Sequence, residues 1–322
     1  MHKAIRVWPA RIVIIAGLAA GTIGCASTAK IATPSTVDAR RVTNAAPIVI
    51  VVEENHSAAA ILAATNLTQV HSLIQRGTLL TNYYAIGHPS LPNYLALVSG
   101  STFGITSDCL KCFQSSQTIA DQLTAARHSW KIYAQGLPTR CAKVNEQGAY
   151  ARRHNPLMYF DSIRHNPTMC NNVVPFTEYG TDLAAGNLPE FSMIIPDLNR
   201  DMHGVNETDT PTLQRDADQF LGNLYASLST SAQWTGAARL IITWDEAGPF
   251  NPVPRGCCGG DAHGGRIATI VVAPRPAHPP TTDSGFYDHY SLLRSLETRF
   301  GLAYLKGAAH PQTLDIPSIT KP

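Results

Sequence analysis

The chain contains 322 residues, with 25 lysines and arginines against 23 aspartates and glutamates, and its formal net charge is +2. Because charged residues are sparse, at 15%, and nearly balanced, the composition lacks the basic footprint of a nucleic-acid-binding protein. The length suits one large α/β domain, or one such domain with a small additional lobe.

The N-terminal segment predicts export. Three basic residues precede the apolar stretch Ile12 to Ala20, and small residues then lead to Cys25, which is the layout of a secretory signal peptide. Thr22-Ile-Gly-Cys25 resembles a bacterial lipobox, although leucine usually stands at the position of Thr22. We therefore expect residues 1–25 to be a signal peptide whose cysteine carries a lipid anchor on the membrane surface. A cell-envelope lipoprotein is favoured over a freely secreted protein.

Residues 26–46 are rich in Ser, Thr and Ala and predict a flexible tether, and residues 47–322 form one domain. The predicted elements in chain order are a strand at Ile48–Val52, helices at Ala58–Ala64 and Leu67–Gln75, a strand at Leu79–Tyr83, a helix beginning at Ser90, a helix at Thr118–Arg127, strands at Trp130–Ala134 and Phe191–Ile195, a helix at Thr212–Ser229, strands at Leu240–Trp244 and Ile267–Ala273, and a helix at Tyr290–Phe300. The irregular stretch 140–187, which contains three prolines and two cysteines, is expected to be a lid or an insertion. This alternation predicts an α/β fold, a three-layer α/β/α sandwich with a mostly parallel central sheet.

Two of the predicted strands end in acidic residues. The first strand runs into Glu53-Glu-Asn55, and the strand at Leu240 runs into Asp245-Glu246. Continuous apolar runs are typical of strands buried on both faces of a parallel sheet, and ligands bind beyond the carboxyl ends of such strands. Crowded carboxylates repel one another unless a cation lies between them, so these strand ends indicate a divalent metal site. The alternative is that they are simply solvated strand ends.

The segment His88-Pro-Ser-Leu-Pro-Asn93 places a hydroxyl at the start of a helix that ends near Gly100. We expect the Ser90 side chain to accept hydrogen bonds from first-turn amides, and Pro92 fits the first turn, where a missing N–H costs nothing. The free amides and the positive dipole end also make such a helix start an anion site. A plain helix start, with no catalytic role for Ser90, is the alternative.

Five segments together resemble the bacterial phosphoesterase family, which groups acid phosphatases with phospholipases C in the alkaline phosphatase superfamily. They are Glu53–Ser57, His88–Gly100, Pro196–His203, Trp244–Glu246 and Tyr287–Ser291. They occur in the family's order and are distributed over most of the chain, from about Ala46 to Leu302. The resemblance implies an alkaline-phosphatase-like fold.

The resemblance also implies roles for individual residues. Ser90 matches the nucleophile, and Asn93 matches the amide that steadies a phosphoryl oxygen. His203 matches a histidine that faces the phosphate. Glu54 and Asn55 match the pair that closes the first strand at the metal site.

The remaining matches concern the late strand and the substrate. Asp245 and Glu246 match the acidic pair that completes the metal site, and Ser90 is an additional ligand. His88 is expected to line the substrate pocket. Where family members often have Gly-Gly-His-Val, this chain has His263-Gly-Gly-Arg-Ile267, so either His263 or Arg266 is expected to take the histidine's place in substrate binding.

This constellation suits phosphoryl transfer. A cation held by Glu54, Asn55 and Asp245 could contact both the Ser90 oxygen and a phosphate oxygen. Oxygen ligands favour calcium, magnesium or manganese, and the addition of His263 would allow zinc. His203 could donate a proton to the leaving oxygen and then help water attack the phosphoserine.

Cysteine usage agrees with export. Six cysteines remain besides Cys25, which allows up to three disulfides, with Cys109–Cys112 as the first choice. The adjacent pair Cys257-Cys258 is not expected to bond to itself. Several histidines without a local partner pattern, including His154, are expected at the surface.

These observations predict an exported, metal-assisted, acid-phosphatase-like phosphomonoesterase acting on small-molecule or lipid phosphoesters. A phospholipase C-like phosphodiesterase is the alternative within the enzymes; we place it second because such family members are longer. A non-catalytic lipoprotein that binds phosphate or a phosphorylated ligand is the alternative from another class. The presence of Ser90 argues against it, because a binding protein needs no nucleophile.

Overall fold

The computed structural model describes residues 46–205, 210–248, 264–275 and 281–321. The predicted signal peptide, Cys25, nearly all of the tether, His263 and the Cys257-Cys258 pair lie outside the described residues. Within the described residues, no helix combines the length and the apolar character needed to cross a membrane.

Ten strands and ten α-helices are formed by the described residues. The strands are β1 (Ile48–Glu53), β2 (Thr78–Tyr84), β3 (Trp130–Ala134), β4 (Glu146–Gln147), β5 (Tyr150–Ala151), β6 (Val173–Pro175), β7 (Phe191–Ile195), β8 (Arg239–Trp244), β9 (Arg266–Val272) and β10 (Thr281–Asp288). The helices are α1 (Ala58–Ala63), α2 (Thr68–Arg76), α3 (Ser90–Ser99), α4 (Ile119–Ala125), α5 (Asp161–Arg164), α6 (Pro167–Cys170), α7 (Thr177–Ala184), α8 (Thr210–Ser229), α9 (His289–Phe300) and α10 (Pro317–Thr320).

Eight strands form one sheet in the order β10-β2-β9-β8-β1-β7-β3-β6, and β4 pairs with β5 in a separate hairpin. In the large sheet β9 runs antiparallel to both of its neighbours, and the other pairings are parallel. Every residue of the central strands β1, β7 and β8 is buried, so helices and loops cover both faces of the sheet. The predicted α/β sandwich with a mostly parallel sheet is confirmed.

The register of the sheet brings the two acidic strand ends together. Glu53 at the end of β1 lies opposite Trp244 at the end of β8, and the backbone N–H of Asp245 donates to the Glu53 carbonyl at 2.8 Å. The residues that follow these strands therefore leave the sheet side by side. This is the edge at which parallel sheets bind ligands.

Most predicted elements lie within two residues of the observed ones, and β3 and β7 have the predicted bounds. Strand β10 was missed because it is an edge strand whose residues are mostly polar and exposed, which leaves no apolar pattern. The stretch 140–187 contributes the edge strand β6 to the main sheet. It also contains a short 3₁₀ turn, Arg152–His154, that contacts α3.

Two disulfides are present within the described residues. Cys109–Cys112 confirms the predicted pair, and Cys141–Cys170 closes the beginning of the irregular stretch onto α6. A third disulfide through Cys257 or Cys258 stays a prediction.

Glu297 on α9 provides a test of stability that is separate from the site. It is fully buried, one carboxylate oxygen accepts the Leu305 N–H at 3.0 Å, and the other has no partner. Burial raises the pKa of Glu297 from 4.5 to about 8. The native state therefore holds this proton more tightly than the unfolded chain does, and the resulting stability is lost as the pH rises from about 4.5 to about 8.

We expect Glu297→Gln, which keeps the acceptor for Leu305, to remove this loss. One unit of pKa corresponds to about 1.4 kcal/mol, so the variant should be more stable than the parent by a few kcal/mol at pH 8 and nearly equal at pH 4.5. Thermal unfolding of both proteins across this pH range measures the difference. A difference that does not change with pH would contradict the prediction.

Candidate active site

Ser90 is the first residue of α3, and its hydroxyl does not cap the helix. The preceding residue, Pro89, occupies the cap position, and Ser90 Oγ donates a hydrogen bond to Glu54 Oε2 at 2.9 Å. The first-turn amide of Leu91 donates instead to Asp108 Oδ1 at 3.0 Å. The expectation that Ser90 accepts bonds from these amides is therefore wrong, because Ser90 lies one position inside the helix. The helix ends at Gly100 in the left-handed conformation, as predicted.

Glu54 is a buried carboxylate with three polar neighbours. Besides the Ser90 hydroxyl at Oε2, its Oε1 accepts a hydrogen bond from the Tyr94 hydroxyl at 2.7 Å and lies 3.2 Å from His154 Nε2. Tyr94 stands one helical turn after Ser90 on α3, so the two hydroxyls reach the same carboxylate. The helix thus fixes the orientation of Glu54 relative to the predicted nucleophile.

Unsatisfied oxygens lie beside this carboxylate. Asp245 Oδ1 accepts the backbone N–H groups of Asn55 at 3.0 Å and Glu246 at 2.6 Å, while Asp245 Oδ2 and Asn55 Oδ1 are buried without a hydrogen-bond partner. Burial raises the pKa of Glu54, Asp245 and Glu246, and the negative charges of neighbouring carboxylates raise it further. A cation would relieve both the repulsion and the unsatisfied oxygens, so the residues fit a metal ion.

The predicted metal ligands divide into two groups. Glu54, Asn55 and Asp245 offer buried oxygens next to one another. The carboxylate of Glu246 instead contacts His88, whose Nδ1 lies 2.7 Å from Glu246 Oε2, and it accepts a longer bond from Asn93 Nδ2 at 3.4 Å. Glu246 is therefore positioned to orient His88, whose side chain is partly exposed.

Asn93 holds the turn that leads into α3. Its Oδ1 accepts the N–H groups of Ile86 at 2.9 Å and Gly87 at 3.0 Å, and its Nδ2 donates to the Gly87 carbonyl at 2.8 Å. This side chain thus shapes the loop in front of Ser90. Its predicted contact with a phosphoryl oxygen stays a prediction.

His203 lies at the other side of Glu54. The described residues contain one group of metal-binding side chains with close ligand atoms, in which single atoms of Glu54, His154 and His203 lie within 4.8 Å of one another. His203 Nδ1 lies 2.7 Å from the Gly204 carbonyl, so this nitrogen carries a hydrogen that it donates to that oxygen, and Nε2 faces the Arg153 guanidinium at 3.4 Å. Its backbone N–H donates to Asp201 Oδ1 at 2.8 Å, which fixes the loop.

His154 was expected at the surface, and that expectation is wrong. It is buried between Glu54 and Asp201, with Nδ1 3.2 Å from Asp201 Oδ2, and its ring stacks on Tyr94 at 5.3 Å. Burial lowers the pKa of His154, which keeps the ring neutral and able to bind a metal ion. Because His154 belongs to the irregular stretch, no local pattern marks it.

Arg266, a predicted substrate-binding residue, and His289 both contact backbone carbonyls. Arg266 begins β9 at the same sheet edge, but its guanidinium donates to the Thr81 carbonyl at 2.9 Å. His289 is buried beneath the site, where its Nε2 lies 2.7 Å from the Asp245 carbonyl and its Nδ1 lies 3.2 Å from the Tyr83 hydroxyl. His289 therefore supports the backbone of Asp245 from the inside.

We expect Tyr94→Phe to reduce phosphoester hydrolysis by about 10- to 100-fold without unfolding the protein, because the change removes only the hydroxyl that orients Glu54. Activity and thermal unfolding of the variant check this. Tyr133→Phe is the matched control, since the Tyr133 hydroxyl donates to Asp182, away from these residues. Equal activity of the two variants would contradict the role given to Tyr94.

The phosphoesterase family model matches residues 60–303, which include Ser90, His203 and the Asp245-Glu246 pair. The chain belongs to the phosphoesterase family. It is 33% identical over 261 residues to a phosphatidylinositol-3-phosphatase of Mycobacterium tuberculosis, a match that covers 80% of this chain and 77% of that protein. The family predicted from the sequence is thereby confirmed.

Other relatives of this phosphoesterase family member are longer. An acid phosphatase of Aspergillus fumigatus is 31% identical over 244 residues, which are 72% of this chain and 50% of that protein. A non-specific phospholipase C1 of Arabidopsis thaliana is 26% identical, with 66% of this chain and 42% of that protein covered. The chain thus spans about half the length of the fungal acid phosphatases it matches.

Solved structures show the fold. An alkaline phosphatase superfamily protein from Vibrio parahaemolyticus has a TM-score of 0.55 at 15% identity, covering 86% of this chain and 70% of that chain. The fold is therefore that of the alkaline phosphatase superfamily, as the sequence predicted.

Proposed function

We propose that this protein is an exported, metal-assisted phosphomonoesterase that uses Ser90 as its nucleophile. The observation that carries the proposal is the 2.9 Å hydrogen bond from Ser90 Oγ to the buried Glu54 carboxylate, beside the unsatisfied oxygens of Asn55 and Asp245. A serine hydroxyl needs an adjacent proton acceptor or a cation to act as a nucleophile at neutral pH. Here the Glu54 carboxylate is a proton acceptor, and the unsatisfied oxygens beside it are ligands for a cation. The membership in the phosphoesterase family supports the same class of reaction.

The ion would be held by Glu54, Asn55 and Asp245, with His154 as a nitrogen donor on the adjacent side, which leaves His203 Nε2 for proton transfer. When bound, it would supply positive charge for the Ser90 oxygen and for a phosphoryl oxygen. Carboxylate and amide oxygens suit magnesium, calcium or manganese, whereas the nitrogen of His154 would suit zinc.

The residues of the chain account for the proton transfers. Glu54 Oε2 is within hydrogen-bond reach of Ser90 and can accept its proton as Oγ bonds to phosphorus and the ester oxygen leaves. His203, once protonated at Nε2, can give a proton to the leaving alcohol. As the neutral ring, the same nitrogen can take a proton from the water that releases phosphate from Ser90.

Relatives named for monoester hydrolysis support the monoesterase over a diesterase. The acid phosphatases and the phosphatidylinositol-3-phosphatase match at 30–33% identity, whereas the phospholipase C1 matches at 26%. The partner class proposed is a small-molecule or lipid phosphoester.

A substrate panel on the purified protein tests the proposal. With each of magnesium, calcium, manganese and zinc added in turn, we expect p-nitrophenyl phosphate to be hydrolysed faster than its bis-ester and phosphatidylcholine. Dominant diester cleavage would replace the proposal by the phospholipase-like alternative. Absence of hydrolysis with all four metals, together with phosphate binding, would favour the non-catalytic alternative.

Export and anchoring through Cys25 form a separate part of the proposal, supported by the basic and apolar N-terminal pattern. Expression of the full chain and of Cys25→Ser in a bacterial host, followed by palmitate labelling, tests it. We expect label on the parent and none on the variant. Equal labelling of both would overturn the anchor.

A further inference from the structure

Arg153 belongs to the short turn that also contains His154, and its guanidinium contacts residues of the site. One terminal nitrogen lies 3.4 Å from His203 Nε2, and Nε lies 4.0 Å from Asp108 Oδ2. Asp108 in turn accepts the N–H of Leu91, the residue after Ser90. The guanidinium therefore lies between His203 and the start of the Ser90 helix.

The turn that contains Arg153 is fixed by its neighbour. Arg152 is buried, donates to the Leu110 carbonyl within the loop closed by the Cys109–Cys112 disulfide, and packs against the rings of Phe113 and Tyr159. Arg152 thus joins the turn to the loop that contains Asp108. The Arg153 side chain remains 17% exposed, so a ligand that enters the site can reach it.

The present partners of Arg153 are weak or exposed. Its contact with His203 is long, at 3.4 Å, and its ion pair with Glu146 at 3.2 Å involves a carboxylate that is 66% exposed. Exposed ion pairs contribute little, whereas a guanidinium bound to a phosphoryl group gains two charge-assisted hydrogen bonds.

We propose that Arg153 binds the non-bridging oxygens of the substrate phosphate and sets the preference for monoesters over diesters; this rests on the proposed function. A phosphomonoester has one more free oxygen and one more negative charge than a diester. Under the proposed function the ion would take one free oxygen; the planar guanidinium could then bind the two that remain on a monoester, whereas a diester would leave it only one. Movement of Arg153 onto phosphate would also release His203 Nε2 for proton transfer.

The test compares Arg153→Met and Arg153→Lys with the full-length parent, using p-nitrophenyl phosphate and its bis-ester. We expect Arg153→Met to lower kcat/KM for the monoester by about 30- to 100-fold, the worth of hydrogen bonds to a charged group, and to affect the diester much less. Arg153→Lys should recover only part of the monoester activity. Arg140→Met, which removes an exposed arginine paired with Glu178 in the same stretch of chain, is the matched control and should leave both rates nearly unchanged.

Binding of inorganic phosphate, measured by calorimetry, gives a readout that does not depend on turnover. We expect Arg153→Met to weaken phosphate binding about tenfold or more while Arg140→Met does not. Equal losses on monoester and diester, or unchanged phosphate affinity, would overturn the role of Arg153. If the parent hydrolyses no phosphoester but binds phosphate through Arg153, the proposed function fails and the anion site stands.

Discussion

Replacing Ser90 with alanine should lower kcat/KM for p-nitrophenyl phosphate by about 10⁴-fold or more, the size of loss seen when an enzyme loses its nucleophile. The reason is that Ser90 Oγ is the hydroxyl that donates to the buried Glu54 carboxylate, and nothing else at the start of α3 can form the covalent intermediate in its place. Stopped reactions of the parent should also yield a phosphorylated peptide that contains Ser90, detectable by mass spectrometry.

Ser99→Ala is the matched control for this variant. Ser99 is buried in the last turn of the same helix, where its hydroxyl donates to the Leu95 carbonyl at 2.7 Å. We expect it to retain activity close to the parent, and both variants should unfold at temperatures near that of the parent. If Ser90→Ala retains more than a small fraction of the parent's activity, Ser90 is not the nucleophile.

Asp245→Asn should have opposite effects on stability with and without metal. At neutral pH and without a cation, the ionised Asp245 is disfavoured, because burial and the neighbouring Glu246 raise its pKa. Asparagine keeps the acceptor for the amides of Asn55 and Glu246 and removes the charge. The metal-free variant should therefore have a higher Tm than the metal-free parent.

Addition of metal should reverse this order. A ligand at 100 times its Kd stabilises the native state by about 2.7 kcal/mol, and the variant, which lacks one charged ligand, should gain much less. Its activity should fall by about 100-fold or more. Thermal unfolding in chelator and in a series of metal concentrations, together with kinetics, measures both effects.

Asp182→Asn is the control for general effects of removing an acid. Asp182 pairs with Lys131 and accepts the Tyr133 hydroxyl, away from the acidic strand ends. It should leave the metal-dependent gain in Tm unchanged. If none of the four metals raises the Tm of the parent protein, the proposed metal site is wrong.

The parts of the site that the sequence revealed are those whose positions follow from strand ends. The apolar run of β1 is buried throughout, and so is that of β8; such runs predict central parallel strands, whose carboxyl ends must meet at one edge. That rule predicts from the sequence alone that Glu54, Asn55 and Asp245 lie close together. It could not show that Glu246 turns towards His88, because this depends on side-chain orientation after the strand ends.

The positions of His154 and Arg153 at the site could not be predicted from the sequence. They are adjacent in a short turn within an irregular stretch, and neither periodicity nor a motif distinguishes them from surface residues. They reach the site only because β6 joins the sheet edge, the disulfide at Cys109 closes its loop and Arg152 ties the turn to that loop. Contacts between segments so far apart in the chain leave no local signal.

The pattern of apolar residues is sufficient to predict the α/β fold, the order of nearly all the central strands and helices, and the meeting of one hydroxyl with two acidic strand ends, because apolar periodicity and sheet geometry act locally and repeat along the chain. The family follows instead from the resemblance of five short motifs that occur in the family's order. Which atoms face each other depends on tertiary packing: Ser90 donates to Glu54 instead of capping its helix, Asn93 shapes a turn, and His154 and Arg153 contact Glu54 and His203 from a distant segment. Packing between distant segments fixes those orientations, and each one depends on the whole domain being folded.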